Sequence, residues 1–258
     1  MDTLGKIIAV TNQKGGVGKT TTSVNLAACL AEAGKKVLLV DIDPQGNASS
    51  GLGHAHEGGK TIYDVLIGEC SAAQAVVPTG YGTLDLMPSG IELAGAEIEL
   101  VGVDGREKLL RSALLDIRGA YDYILVDCPP SLSLLTLNAL TASDTVLIPI
   151  QCEYYALEGV GQLVNTIRLM KKRLNPSLTI EGILLTMYDS RTNLCAQVVQ
   201  EVRGHFAKEA FETMIPRNVR LSEAPSYGIP IHMYDGRCSG TKAYRDLAKE
   251  LIKRNGGK

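Results

Sequence analysis

Short apolar runs alternate along this chain with longer stretches of helical periodicity. KIIAVTN (6–12) reads as a strand, and TTSVNLAACLAEAG as a helix closed by Gly34, a residue suited to a left-handed cap. KVLLVDID (36–43), LDLMPS (84–89), YDYILVDCPP (121–130), TVLIPI (145–150) and TIEGILLTMYD (179–189) follow as strands. Two prolines stop the one ending in DCPP. Helical patterning occupies the stretch near 104–118 and residues 156–174 and 240–254, and a short strand is expected around FETMIP (211–216). Strands that are apolar throughout, rather than alternating, suit a parallel sheet covered on both faces. The expected fold is α/β: one domain over 1–258, built on a mostly parallel twisted sheet with helices on both sides. No Pro/Gly/Ser-rich linker or repeat divides it, and SSGLGHAHEGG (49–59) reads as a mobile surface loop.

The first strand runs into KGGVGKTT. Gly15, Gly16 and Gly18, with Val17 between them, precede Lys19, Thr20 and Thr21. A strand entering, small residues letting the backbone curl, and a helix leaving make a phosphate cradle, because successive N–H groups converge on the helix N-terminus. Lys19 is placed to neutralise the β- and γ-phosphates of ATP, and Thr20 to hold Mg²⁺. The general pattern G-x-x-x-x-G-K-[ST] fails at its first glycine, where this chain has Lys14. Asp41 and Asp43 stand at the carboxyl end of one strand and Asp127 at that of another, the edge where ligands of open parallel sheets bind. Asp127 is the expected Mg²⁺ partner through water, and Asp43 the group that orients attacking water and senses the γ-phosphate. The blander role for these aspartates is helix capping.

Composition narrows the setting. The chain has 45% hydrophobic and 21% charged residues, and no apolar run long enough to span a membrane. Six scattered cysteines with no C-x-x-C pair suggest a reducing, cytoplasmic compartment without disulfides or zinc. Net charge is −2, but residues 217–258 hold nine Lys and Arg against four Asp and Glu, leaving the first 216 residues at −7.

KGGVGKTT, DIDPQGN, DCPPS, PIQCEYYALEG and IPRNVRLSEAPS together resemble the ParA/Soj partition ATPases, of the deviant Walker A group of P-loop NTPases that also includes MinD. The resemblance runs from residue 5 to about 253 and is nearest the chromosomal type, which has no separate N-terminal DNA-binding domain. It implies an ATP-dependent homodimer in which Lys14 of each protomer reaches the nucleotide held by the other. A cation positioned on the transferring phosphoryl group is a known electrostatic device. Gly15 is then the point of close approach between two loops. The resemblance also implies that Pro216 and Asn218 hold the adenine, that Arg191 and Arg220 touch double-stranded DNA, and that a ParB-type centromere-binding partner stimulates hydrolysis on the nucleoid. Lys242, Arg245, Lys249 and Lys253 extend the basic surface, suited to phosphate contact without base readout. The alternative is a cargo-positioning or regulatory ATPase, MinD-like or orphan, running the same cycle. A MinD-type membrane anchor is not expected: the apolar stripe Ala243, Tyr244, Leu247, Ala248, Leu251 and Ile252 lacks bulky Phe or Trp and is better suited to packing on the sheet.

Overall fold

The computed structural model describes residues 4–54, 58–153 and 156–257. Tyr154 and Tyr155 of the PIQCEYYALEG string, and residues 55–57 of the glycine-rich stretch, lie outside the described residues. The strands are β1 (Lys6–Val10), β2 (Val37–Asp41), β3 (Val77–Pro78), β4 (Leu84–Met87), β5 (Tyr123–Asp127), β6 (Thr145–Gln151) and β7 (Thr179–Thr186). They form one sheet in the order β3-β4-β2-β5-β1-β6-β7, parallel except for the antiparallel edge pair β3–β4. The two-residue β3, half of it proline, is too short to leave a sequence signal.

The helices are α1 (Lys19–Glu32), α2 (Asn47–Gly51), α3 (Ile62–Leu66), α4 (Ala72–Ala75), α5 (Leu93–Glu99), α6 (Leu109–Leu115), α7 (Leu134–Ala142), α8 (Ala156–Arg173), α9 (Asn193–His205), α10 (Val219–Glu223), α11 (Ile231–Tyr234) and α12 (Ser239–Arg254). They cover both faces. Along β1, Ile7 and Ala9 enter the core that also holds Leu93, Leu110, Leu135 and Val198, while Ile8 and Val10 enter the core shared with Leu26, Leu30, Tyr244 and Leu247. Side chains alternate across a strand, so each strand feeds two cores and must be apolar throughout. The helix after β1 belongs to one core and the helix after the adjacent β5 to the other. Adjacent strands whose connections leave on opposite faces open a crevice at their carboxyl ends, and the site lies there.

The structure differs from the pattern in two places. The start of the expected surface loop is helix α2, with Ala48 and Ser49 buried. The segment 211–216 forms no regular strand. It follows the β7 edge through bridges at Ala210 and Pro216, and bows between them because the Glu250 carboxylate takes the N–H groups of Glu212 and Thr213 at 2.8 and 2.9 Å. The apolar stripe of α12 packs on α1 and shares one core with Ile8, Val10 and Leu125 of the sheet, with the Tyr244 hydroxyl 3.2 Å from that of Thr22.

Candidate functional site

The phosphate loop is built from glycine conformations and side-chain anchors. Gly16 and Gly18 have φ of 72° and 85°, a region that side-chain-bearing residues rarely adopt. Gly18 caps α1 without a side chain, so the first N–H groups of that helix stay open to a ligand. Thr186, at the end of β7, donates to the Val17 carbonyl at 2.8 Å. Asn12 ties the loop to the Pro149 carbonyl at 2.8 Å and accepts from the Lys14 N–H at 3.0 Å.

Lys19 is 7% exposed, and its Nζ donates to the Lys14 carbonyl at 3.1 Å, as if spanning the loop it serves. Burial pushes its pKa down while the charge of Asp127 pulls it back up. Asp127 is fully buried; its Oδ1 accepts from Ser23 at 2.7 Å and its Oδ2 has no partner. The nearby Thr20 hydroxyl, like Ser23, favours the ionised form of the same carboxylate against the opposing effect of burial. An orphaned carboxylate oxygen beside a threonine hydroxyl and an open helix N-terminus suits a hydrated magnesium ion, which takes few protein ligands and keeps its waters.

Asp41 and Asp127 are register partners on β2 and β5, and burial holds both above the ordinary carboxylate range, with the charge of Asp41 adding to it at Asp127 and that of Asp43 at Asp41. Both oxygens of Asp41 are occupied within the protomer, Oδ1 by the Asp43 N–H at 3.2 Å and Oδ2 by Ser49. Asp41 accepts the N–H and the hydroxyl of Ser49, each at 2.8 Å, and so caps α2 from the neighbouring strand. Asp43 sits two residues on, 7% exposed, with its Oδ1 accepting the Gln45 N–H at 3.0 Å and its carbonyl held by the Ser89 hydroxyl at 2.7 Å.

Two cavities adjoin along this edge. One of about 410 Å³ is lined by Gly15, Gly16, Lys19, Thr20, Asp43 and Pro130, among others, and so brings the loop and the acidic strand end together. The second, about 260 Å³, is lined by Gly18, Thr21, Ile215, Pro216, Asn218 and Tyr244, among others, a slot of the right character for a flat heterocycle. Asn218 also caps α10, accepting the Arg220 N–H and donating to Ser239, both at 2.8 Å. Met187 lines both cavities with a φ of 51°, a left-handed conformation that a non-glycine residue rarely holds. Sequence reasoning missed Met187, Ser23 and Thr186, since nothing in the local pattern marks a residue that acts by where β7 or α1 happens to end.

Lys14 stands at the mouth of the site, its Nζ 3.2 Å from Glu153 Oε2 with both side chains 46% exposed. Gly15 has an ordinary φ, and a Cβ built on it meets nothing within 4 Å.

Four of the six named basic residues are paired with carboxylates of the same chain. Arg191 forks onto Asp189 at 2.7 and 2.9 Å, Arg220 pairs with Glu223 at 2.8 Å, Lys242 with Asp246 at 2.7 Å, and Arg245 grips Glu32 at 2.7 and 2.8 Å. Lys249 and Lys253 are exposed along a groove of α12.

A model described as an AAA domain matches residues 5–180. The sporulation initiation inhibitor protein Soj of Bacillus subtilis is 60% identical over 96% of this chain and 98% of its own length. The chain belongs to the ParA/Soj family of chromosome-partitioning ATPases. Within that family, the chromosome partitioning protein ParA of Myxococcus xanthus is 57% identical over 98% of this chain and 90% of its own. Among solved structures, a Mycobacterium smegmatis protein titled cobyrinic acid a,c-diamide synthase, with bound ATP analog and magnesium, superposes with a TM-score of 0.86 at 39% identity, covering 99% of this chain and 98% of that one.

Proposed function

We propose that this ParA-type ATPase is a switch that dimerises on Mg-ATP, binds double-stranded DNA without sequence preference, and moves chromosomes or plasmids with a ParB-type partner that stimulates hydrolysis. The observation that carries the dimer is Gly15. Neither backbone conformation nor crowding within the protomer calls for glycine there, while the adjacent Lys14 faces outward at the mouth of the phosphate cavity. A second copy packed over the loop supplies the missing reason: it needs the space, and its own Lys14 supplies a cation to the phosphates.

Within each site, Lys19 would leave the Lys14 carbonyl for the β- and γ-phosphates, and the α1 N–H groups would hold the phosphate oxygens. Thr20, Asp43 and, through water, Asp127 would hold magnesium, which when bound neutralises phosphate charge. Asp43, fixed by Ser89 and Gln45, would orient the attacking water. The slot bounded by Pro216 and Asn218 would take the adenine.

Own-chain carboxylates offset Arg191, Arg220, Lys242 and Arg245, so one protomer presents a weak positive field. A two-fold pair sums two weak surfaces, which makes DNA binding follow the nucleotide. Light scattering and DNA binding of Asp43→Ala with saturating Mg-ATP test the whole scheme. Stable dimers on random duplexes, with affinity falling steeply as salt is added, are expected. Monomers alone, or a flat salt response, would sink it.

A further inference from the structure

Four buried residues beyond the carboxyl ends of β2 and β4 close a ring of hydrogen bonds. Asp41, Asp43, Ser49 and Ser89 are each at most 7% exposed. The Asp41 Oδ1 accepts the Asp43 N–H at 3.2 Å, and its Oδ2 accepts the N–H and the hydroxyl of Ser49, each at 2.8 Å. The Ser49 hydroxyl, its proton given to Asp41, accepts the Ser89 N–H at 3.0 Å. The Ser89 hydroxyl then donates to the Asp43 carbonyl at 2.7 Å, which closes the circuit.

Chemistry fixes the direction of the ring. Three donors converge on Asp41, so its side chain must be acceptor-only. A carboxylate meets that demand, whereas an amide would turn its NH₂ against either the Asp43 N–H or the Ser49 donors. What the ring holds is the main chain of Asp43, at its N–H through Asp41 and at its carbonyl through Ser89. The Asp43 carboxylate stays outside it: Oδ1 accepts the Gln45 N–H at 3.0 Å, and Asp43 lines the phosphate cavity. A residue clamped at its backbone and open at its tip is built for work at the tip. Capping α2 needs only Asp41 and Ser49, and gives no reason for Ser89 to reach across from the end of β4.

We infer that Asp41, Ser49 and Ser89 are positioning residues for hydrolysis, the ring setting where the Asp43 carboxylate meets water and the γ-phosphate. The inference rests on the role proposed above for Asp43. None of the three lines the phosphate cavity, so they act only through Asp43. A misplacement of about 1 Å costs a reaction up to about a hundredfold in rate. ATP binding is carried by the glycine loop and Lys19, away from the ring, so the loss falls on kcat and spares KM.

The test measures Mg-ATP turnover by the full chain, with urea unfolding of each variant alongside. Ser89→Ala and Asp41→Asn should each lower kcat about tenfold or more and leave KM within about threefold. Two variants at different points of the ring keep the test open if one fails to fold. Ser89→Thr, which keeps the hydroxyl, should recover most of the rate. Ser143→Ala is the comparison. Its equally buried hydroxyl donates to the Ala139 carbonyl at the same 2.7 Å, at the amino edge of the sheet, so it should lose similar stability and keep its rate. In an Asp43→Ala background, single-turnover phosphate release should be no slower with Ser89→Ala added than without it. Wild-type kcat in Ser89→Ala and Asp41→Asn overturns the ring's role. So does an equal loss in Ser143→Ala, a raised KM with kcat unchanged, or a further loss in the Asp43→Ala background. Wild-type turnover in Asp43→Ala alone is the separate result that overturns the role of Asp43, and the ring's role with it.

Discussion

Asp41 and Asp127 stand side by side on neighbouring strands, two buried carboxylates in register at the carboxyl ends of β2 and β5. One serves architecture, holding Ser49 and with it α2; the other keeps a buried oxygen without a partner. Sequence alone marked Asp127 as the expected Mg²⁺ partner and gave Asp41 no role beyond a strand end that could cap a helix.

That pair makes the nucleotide-free protein sensitive to pH. Both carboxyls are held above the ordinary Asp value of 3.8, first by burial. The native state therefore keeps protons that the unfolded chain has lost, and stability falls as pH rises from that value toward neutrality. Melting temperature measured across this window should decline in wild type and decline less in Asp127→Asn. An unchanged slope in the variant would place the effect elsewhere. Saturating Mg-ATP should flatten the wild-type slope, because a cation favours the ionised form.

Glu153 competes for Lys14 within the protomer. The pair is nearly half exposed, so its contribution is at most about 1 kcal/mol. Glu153→Gln should release the lysine and tighten ATP-dependent dimerisation by no more than about fivefold. Sedimentation equilibrium with a non-hydrolysable analogue measures this, and looser association in the variant would contradict it.

Gly15→Val should leave the protomer intact, since a side chain there meets nothing within 4 Å. ATP affinity should stay within about threefold of wild type, as expected of a surface change. Light scattering with ATP should show monomers only. A stable ATP dimer in this variant would remove the basis for a second copy over the loop.

Lys249 and Arg245 should separate two roles that sequence gave jointly. Arg245 clasps Glu32 in the last turn of α1, roughly 20 Å along that helix from Lys19. Arg245→Ala should therefore cost up to about 1 kcal/mol of stability and change DNA affinity little. Lys249→Glu should leave stability unchanged and lower DNA affinity for every sequence alike. Urea unfolding and duplex titrations on both variants give the answer, and the reverse assignment would show that the clasp opens to DNA.

The sequence by itself determined the parallel sheet, the phosphate loop and the acidic strand ends. Each rests on chemistry local to a few residues: strands buried on both faces must be apolar throughout, and a backbone cradle needs glycines next to Lys-Thr. Only the tertiary structure decided that Asp41 is taken up by Ser49 while Asp127 keeps an oxygen without a partner, that Arg191, Arg220, Lys242 and Arg245 are already paired, that 211–216 is bowed by Glu250, and that α5 turns isoleucine to solvent. These depend on which distant segment each side chain meets. Pairing between residues far apart in the chain is set by how the layers pack, and periodicity carries no record of it.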